Sequence, residues 1–173
     1  EIIIWTTTPW TMPGNRAVAY GKDIDYSLLE ITSVNENSLA KIGDKIVVAN
    51  QLLEEAIKEL SISNYNVSKK LKGSDFEGSI LAHPLNGYGY DHDVLLLEAD
   101  FVTTDQGTGF VHIAPGHGAD DFELGKKHNL PIPETVSDNG ILDNELPLLG
   151  GLRVLKDNEK IADIMSEHNA LIG

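Results

Sequence analysis

Two short segments hold most of the residues able to do chemistry in this 173-residue chain. The first is Trp5-Thr6-Thr7-Thr8-Pro9-Trp10-Thr11-Met12-Pro13-Gly14-Asn15-Arg16. Proline has no N–H to give to a ladder, so Pro9 must turn the chain where Thr8 ends a strand. Threonine hydroxyls and freed backbone N–H groups then line the end of that strand. Such a neutral hydrogen-bonding wall suits a ribose, an ester or a water. The same residues also suit a plain threonine-rich edge strand followed by a proline turn, because threonine is a good strand former.

The second segment is Gly107-Thr108-Gly109-Phe110-Val111-His112-Ile113-Ala114-Pro115-Gly116-His117-Gly118-Ala119-Asp120-Asp121. A strand carrying His112 runs into a glycine-rich loop that delivers two carboxylates onto a helix start, an anatomy common to sites built on loop ends. The positive end of the helix dipole favours the ionised carboxylates there. His112, His117, Asp120 and Asp121, with His83 and His92 upstream, also allow a metal-dependent hydrolase. Their spacing matches no familiar metal motif, and no metal is expected. His112 on an apolar strand equally suits a satisfied core histidine, and the two aspartates suit simple helix-capping acids. The glycines lack both the Lys-Ser/Thr ending of a phosphate loop and a dinucleotide fingerprint, and there is no Gly-x-Ser-x-Gly elbow. With no cysteine in the chain, thiolate nucleophiles, thiolate metal sites and disulfides are excluded.

These segments need elements to hold them. β-branched and aromatic clusters bounded by turn residues predict strands near 2–8, 16–21, 26–32, 44–49, 64–71, 79–82, 93–99 and 108–113. Asn50 can cap a helix over roughly 51–60, whose Leu52, Leu53, Ala56, Ile57 and Leu60 share one face. A second helix is expected after Gly118, acidic at its start and basic at Lys126 and Lys127. A third begins near Asp157 and turns Ile161, Ile164 and Met165 inward, and Ser137-Asp138-Asn139-Gly140 marks a turn. Strands and helices do not alternate regularly, so the expected class is mixed α+β: a largely antiparallel or mixed sheet, or a β-barrel, with peripheral helices.

A length of 173 residues, 41% hydrophobic and 23% charged, predicts one globular domain over 1–173. No apolar run spans a bilayer and no signal-like start is present, so a soluble cytoplasmic monomer is expected. The net charge of −14 opposes the phosphate backbone and predicts poor nucleic-acid binding by the chain alone. A start at Glu1, directly before a strand-like run, reads as a piece cut from a longer polypeptide.

Taken together, the Trp-Thr-Thr-Thr-Pro-Trp-Thr run at 5–11 and the Val-His-x-Ala-Pro-Gly-His-Gly-x-Asp-Asp run at 111–121 resemble the editing insertion of isoleucyl-tRNA synthetases. Thr8-Pro9-Trp10 and His112 favour that branch over the valyl and leucyl ones, and the Phe76-Glu77-Gly78 and His83-Pro84 region fits between the motifs. No His-Ile-Gly-His or Lys-Met-Ser-Lys-Ser sequence of the adenylating site is present. The resemblance implies a deacylase that removes valine from the isoleucine tRNA, or splits valyl adenylate, and spares isoleucine by size. Its partners would be the 3'-terminal adenosine of that tRNA and the rest of the parent synthetase. No cofactor is implied for this domain, whereas the parent uses ATP and magnesium. By resemblance, Asp121 anchors the α-ammonium, and Thr6, Thr7, Thr8 and Thr11 contact the substrate or the terminal adenosine. His112 would form the wall that excludes isoleucine, with Trp10 and Asn15 on the same rim. No side chain stands out as general base. A non-catalytic module that binds an adenylate or an RNA 3' end is the alternative to hydrolysis.

Overall fold

In the computed structural model, which describes residues 1–173, seven strands form two sheets. β1 (Ala17–Tyr20), β5 (Ile80–Ala82), β6 (Asp93–Glu98) and β7 (Phe110–Ile113) make a four-stranded sheet in the order β5-β6-β1-β7. β6 runs parallel to β1, whereas β7 is antiparallel to β1 and β5 to β6. β2 (Asp25–Val34), β3 (Lys45–Ala49) and β4 (Ile62–Lys72) form an antiparallel sheet in the order β3-β2-β4. Neither sheet closes on itself, so the class is mixed α+β with open sheets, and the barrel alternative is corrected.

Three helices complete the frame: α1 (Leu53–Glu59), α2 (Ala119–Lys127) and α3 (Asn158–Glu167). β1 shows how the two-residue period of a strand builds the core on both of its faces. Val18 and Tyr20 join Tyr26, Leu29, Ile46 and Phe110 in the main cluster, while Ala17 and Ala19 join Ile113 and Leu124, on the side that α2 covers. Tyr26 lies 4.6 Å from Phe110 and 5.1 Å from Phe76 between ring centroids, contacts worth about 0.5–1.5 kcal/mol each beyond simple burial. A separate cluster places Ile161 and Met165 of α3 against Met12, Leu142 and Leu149, beneath a 3-10 turn over Pro9–Gly14.

Two expectations fail locally. The run 2–8 is not a strand and keeps one isolated bridge, Ile2 to Val47. The Thr6 hydroxyl accepts the Thr8 N–H at 3.1 Å, giving the backbone a local partner in place of a ladder, and Pro9 then opens the 3-10 turn. Asn50 caps no helix: a short 3-10 turn, Asn50–Leu52, precedes α1, and the Asn50 side-chain oxygen accepts the Ser27 hydroxyl at 2.7 Å. The turn at Ser137–Gly140 forms as expected, with the Gly140 N–H on the Ser137 carbonyl at 2.9 Å and φ +70° at Gly140.

Candidate functional site

β7 and the segment before β1 are brought side by side by the β1–β7 pairing, which sets Val18 opposite His112. Between them opens a cavity of about 430 Å³, within the roughly 300–1,000 Å³ of small-ligand sites. Thr6, Thr7, Thr8 and Thr11 line it from the first segment, and His112 and Asp121 from the second. A larger cavity of about 740 Å³ holds none of these six and is rimmed by Glu77, Glu98, Asp100, Asp120 and Glu123. Chemistry, not size, selects the smaller one. Successive helix residues point about 100° apart, so Asp120 and Asp121 part company. Asp121 lines the threonine cavity and Asp120 the acidic one.

His112 is 9% exposed and both of its ring nitrogens are engaged. The Asn15 side-chain N–H donates to the Ala17 carbonyl at 2.9 Å, which fixes the amide's orientation, and it also donates to His112 Nδ1 at 2.7 Å. Nδ1 therefore accepts, and Nε2 carries the proton. That proton goes to the Thr11 hydroxyl at 3.0 Å, which in turn donates to the Thr8 carbonyl at 2.9 Å. Burial, with the nearby His83 and His117, pushes the imidazole down to about 4, so His112 is a neutral wall at physiological pH. It is a satisfied core histidine and a cavity-lining residue at once.

Asp121 accepts the Ala114 N–H at 2.7 Å through Oδ2. The α2 start was expected to favour the ionised carboxylate through the helix dipole. Burial instead raises the carboxyl above its usual value, outweighing that hydrogen bond and the attraction of His117. Gly118 makes room for this arrangement, since a Cβ there would lie 2.9 Å from Asp121 Oδ1. A cation beside it would replace the lost solvent and favour the ionised form.

Two of the predicted rim residues lie elsewhere. Asn15, 1% exposed, sits behind His112 and does not line the cavity. Trp10 is also absent from the lining and packs edge-on against His117, with ring centroids 5.2 Å apart. His112, His117, Asp120 and Asp121 do not gather into a group of three able to hold a metal. Sequence reasoning named His117 only as a candidate metal ligand and not among the substrate contacts: it lines the cavity, and its Nε2 meets the Thr135 hydroxyl at 2.6 Å. Its place in the same glycine-rich loop was the signal. Phe101, Thr103 and Gln106 also line the cavity, from a loop whose sequence carries no sign of it.

Residues 31–148 match the family model described as leucyl-tRNA synthetase, editing domain. Relatives named isoleucine--tRNA ligase include one from Gluconobacter oxydans, 45% identical over 165 residues, covering 95% of this chain and 17% of that protein. Another, from Pelagibacter ubique, is 44% identical over 172 residues, covering 99% of this chain and 19% of that protein. The chain thus spans less than a fifth of the length of these relatives. In fold it resembles a solved structure described as GlLeuRS-CP1, with TM-score 0.75 at 14% identity over 99% of this chain and 83% of that one. The cytosolic leucyl-tRNA synthetase editing domain of Plasmodium falciparum aligns with TM-score 0.57 at 18% identity, over 74% of this chain and 47% of that one. With the family model matched over more than half its length, the chain belongs to the editing-domain family of the leucyl- and isoleucyl-tRNA synthetases.

Proposed function

We propose that this domain hydrolyses valine wrongly joined to the isoleucine tRNA, and valyl adenylate where it forms, while sparing isoleucyl-tRNA. The observation that carries this reading is a single buried-side carboxylate, Asp121, set in one cavity with four threonines and a neutral histidine. The carboxylate suits the α-ammonium of an aminoacyl ester, the hydroxyls suit the ester and the ribose, and the uncharged His112 suits an apolar side chain. Asp121 anchors the ammonium. Water held by hydroxyl and backbone N–H groups attacks the ester carbonyl, and the same kind of donors stabilise the oxyanion. The bond from the carbonyl carbon to the ribose oxygen then breaks, a proton from the water passes to that oxygen, and free valine and the tRNA hydroxyl are released.

Selection by size follows from energetics. One methylene is worth only about 1–3 kcal/mol in a binding pocket, a limit for which isoleucyl enzymes are the standard illustration, so a second sieve multiplies the discrimination. In this reading the buried, neutral His112 wall is that sieve. The test is deacylation of valyl- and isoleucyl-tRNA by the synthetase that carries this domain, with and without Asp121→Asn. Rapid release of valine, retention of isoleucine and loss of release in the variant are expected. Undiminished valine release by Asp121→Asn would remove the anchor.

A further inference from the structure

The 3-10 turn over Pro9–Gly14 carries Thr11 into the cavity, and its far side is held by groups that touch no part of the cavity. His83 is 2% exposed. Its Nδ1 accepts the Leu85 N–H at 3.0 Å, so Nε2 bears the proton and donates to the Met12 carbonyl at 2.9 Å. Met12 is the residue after Thr11, and its carbonyl also accepts the Asn15 N–H at 3.0 Å. The ring of His83 stacks on Tyr90 at 4.8 Å and 14°, and the Tyr90 hydroxyl is itself tied to the Pro147 carbonyl at 2.8 Å. Arg16 completes the clasp: its Nη1 donates to the Pro13 carbonyl at 3.2 Å and to the Asn15 carbonyl at 2.6 Å.

We propose that His83, with Arg16 beside it, is a positioning residue for editing: it clamps the carbonyl end of this turn and thereby sets the Thr11–His112 wall of the cavity. A 3-10 turn is short, and its last carbonyls lack partners within it, so outside donors decide where it sits. Three carbonyls within four residues, those of Met12, Pro13 and Asn15, receive them here. The linkage to the cavity is direct. The Thr11 hydroxyl is fixed between the Thr8 carbonyl and His112 Nε2, and Asn15, whose N–H donates to the clamped Met12 carbonyl and whose own carbonyl accepts from Arg16, grips His112 Nδ1. Burial keeps the His83 imidazole neutral, pushed down to about 4, so it stays a one-proton donor.

The inference rests on the hydrolytic reading of the site. The test uses His83→Phe, which keeps a flat ring against Tyr90 without a donor, and His83→Gln, which restores an N–H near the position of Nε2. In the synthetase carrying the domain, His83→Phe should lose at least tenfold in kcat for valyl-tRNA release, with KM within about twofold. His83→Gln should recover kcat to within about threefold of the parent. Amide exchange, read without substrate, should show the Thr11 and Asn15 N–H groups opening at least tenfold faster in His83→Phe. Failure of the unaltered enzyme to release valine would refute the hydrolytic reading, while the exchange rates would still judge the clamp. Parental kcat and parental exchange in His83→Phe overturn the clamp. So does a parallel rise in KM with no change in kcat. If His83→Phe does not fold, a folded His83→Gln that loses tenfold in kcat overturns it.

Discussion

His83 and His112 are two neutral imidazoles enclosed on opposite sides of one turn, and their protonation couples the site to pH. Both are pushed from 6.5 down to about 4, mainly by burial. The unfolded chain therefore binds more protons than the folded one between these values, and stability must rise with pH across that window. It is full above about 6.5 and is lost as pH falls toward 4, by at most about 3 kcal/mol for each histidine. Asp121 acts in the opposite sense, because its raised carboxyl takes up a proton more readily in the folded state. Urea midpoints at pH 7 and pH 4.5 should differ clearly, and His83→Phe should lose about half of the difference. An equal fall in that variant would show that His83 carries none of it. On the proposed reading, the same residue scale sets a size gate. His112→Ala opens the wall and should allow isoleucyl-tRNA to be hydrolysed, which a deacylation assay with correctly charged tRNA reads directly. It also leaves the Asn15 N–H and the Thr11 hydroxyl short of a partner, at about 1–3 kcal/mol for each buried group left unsatisfied. The gate is therefore to be read at a temperature well below the variant's midpoint.

The elements show what sequence patterns can and cannot reveal. β1 to β7 were legible wherever β-branched residues alternate, and α3 where Ile161 and Met165 recur at helical spacing. Ile2–Thr8 carries the same strand-forming residues, but propensity does not register that the Thr6 hydroxyl is within reach of the Thr8 N–H. That Asp121 and the threonines would face one another was legible because their chemistry is concentrated in two short runs, and they line one cavity. Phe101, Thr103 and Gln106 were not, since only the closing of the loop after β6 over the cavity makes them part of it. Asn15 was read as a contact residue, yet it works from behind His112, a depth that spacing does not encode. The entry into β7 turns on Gly109, which adopts φ +82° and would place a Cβ 2.4 Å from the Ala49 Cβ. The Tyr26 hydroxyl meets its carbonyl at 2.7 Å, and the Ala49 N–H binds the Thr108 carbonyl at 2.9 Å, so the glycine joins the two sheets. Gly109→Ala combines left-handed strain with a backbone-near clash and should cost about 2–5 kcal/mol in chemical denaturation. Gly43→Ala is the reference, since Gly43 shares the left-handed backbone at φ +96° but a Cβ there meets nothing within 4 Å. If the two substitutions cost the same, the contact with Ala49 contributes nothing.

For the molecule as a whole, the question is how an acidic body handles a nucleic acid. The chain carries 27 acidic and 13 basic residues, and Lys22–Glu98 is an exposed ion pair that neutralises only one of each. Phosphate contacts supply most of the affinity in nonspecific nucleic-acid binding, and they come from clustered Lys and Arg. Around the cavity the charged side chain is Asp121, and the neighbouring cavity adds Glu77, Glu98, Asp100, Asp120 and Glu123 against Lys127. On the proposed reading, an approaching acceptor strand therefore meets repulsion over several ångströms before its terminal ribose reaches the threonines. On the proposed reading, affinity for the tRNA then comes from outside these residues, and the relatives are more than five times as long as this chain. The isolated chain should bind uncharged tRNA more weakly than about 10⁻⁴ M at physiological salt, with almost no dependence of affinity on salt, because few counterions are released. Fluorescence titration of a labelled acceptor stem between 50 and 200 mM salt, a range over which basic binders lose about 10³–10⁵ in affinity, separates the cases. Micromolar binding with a steep salt slope would place a cationic docking face on this domain itself. Weak, flat binding would fit the proposed division of labour, in which the remainder of the synthetase delivers the aminoacylated end and this domain supplies the carboxylate, the hydroxyls and the size gate.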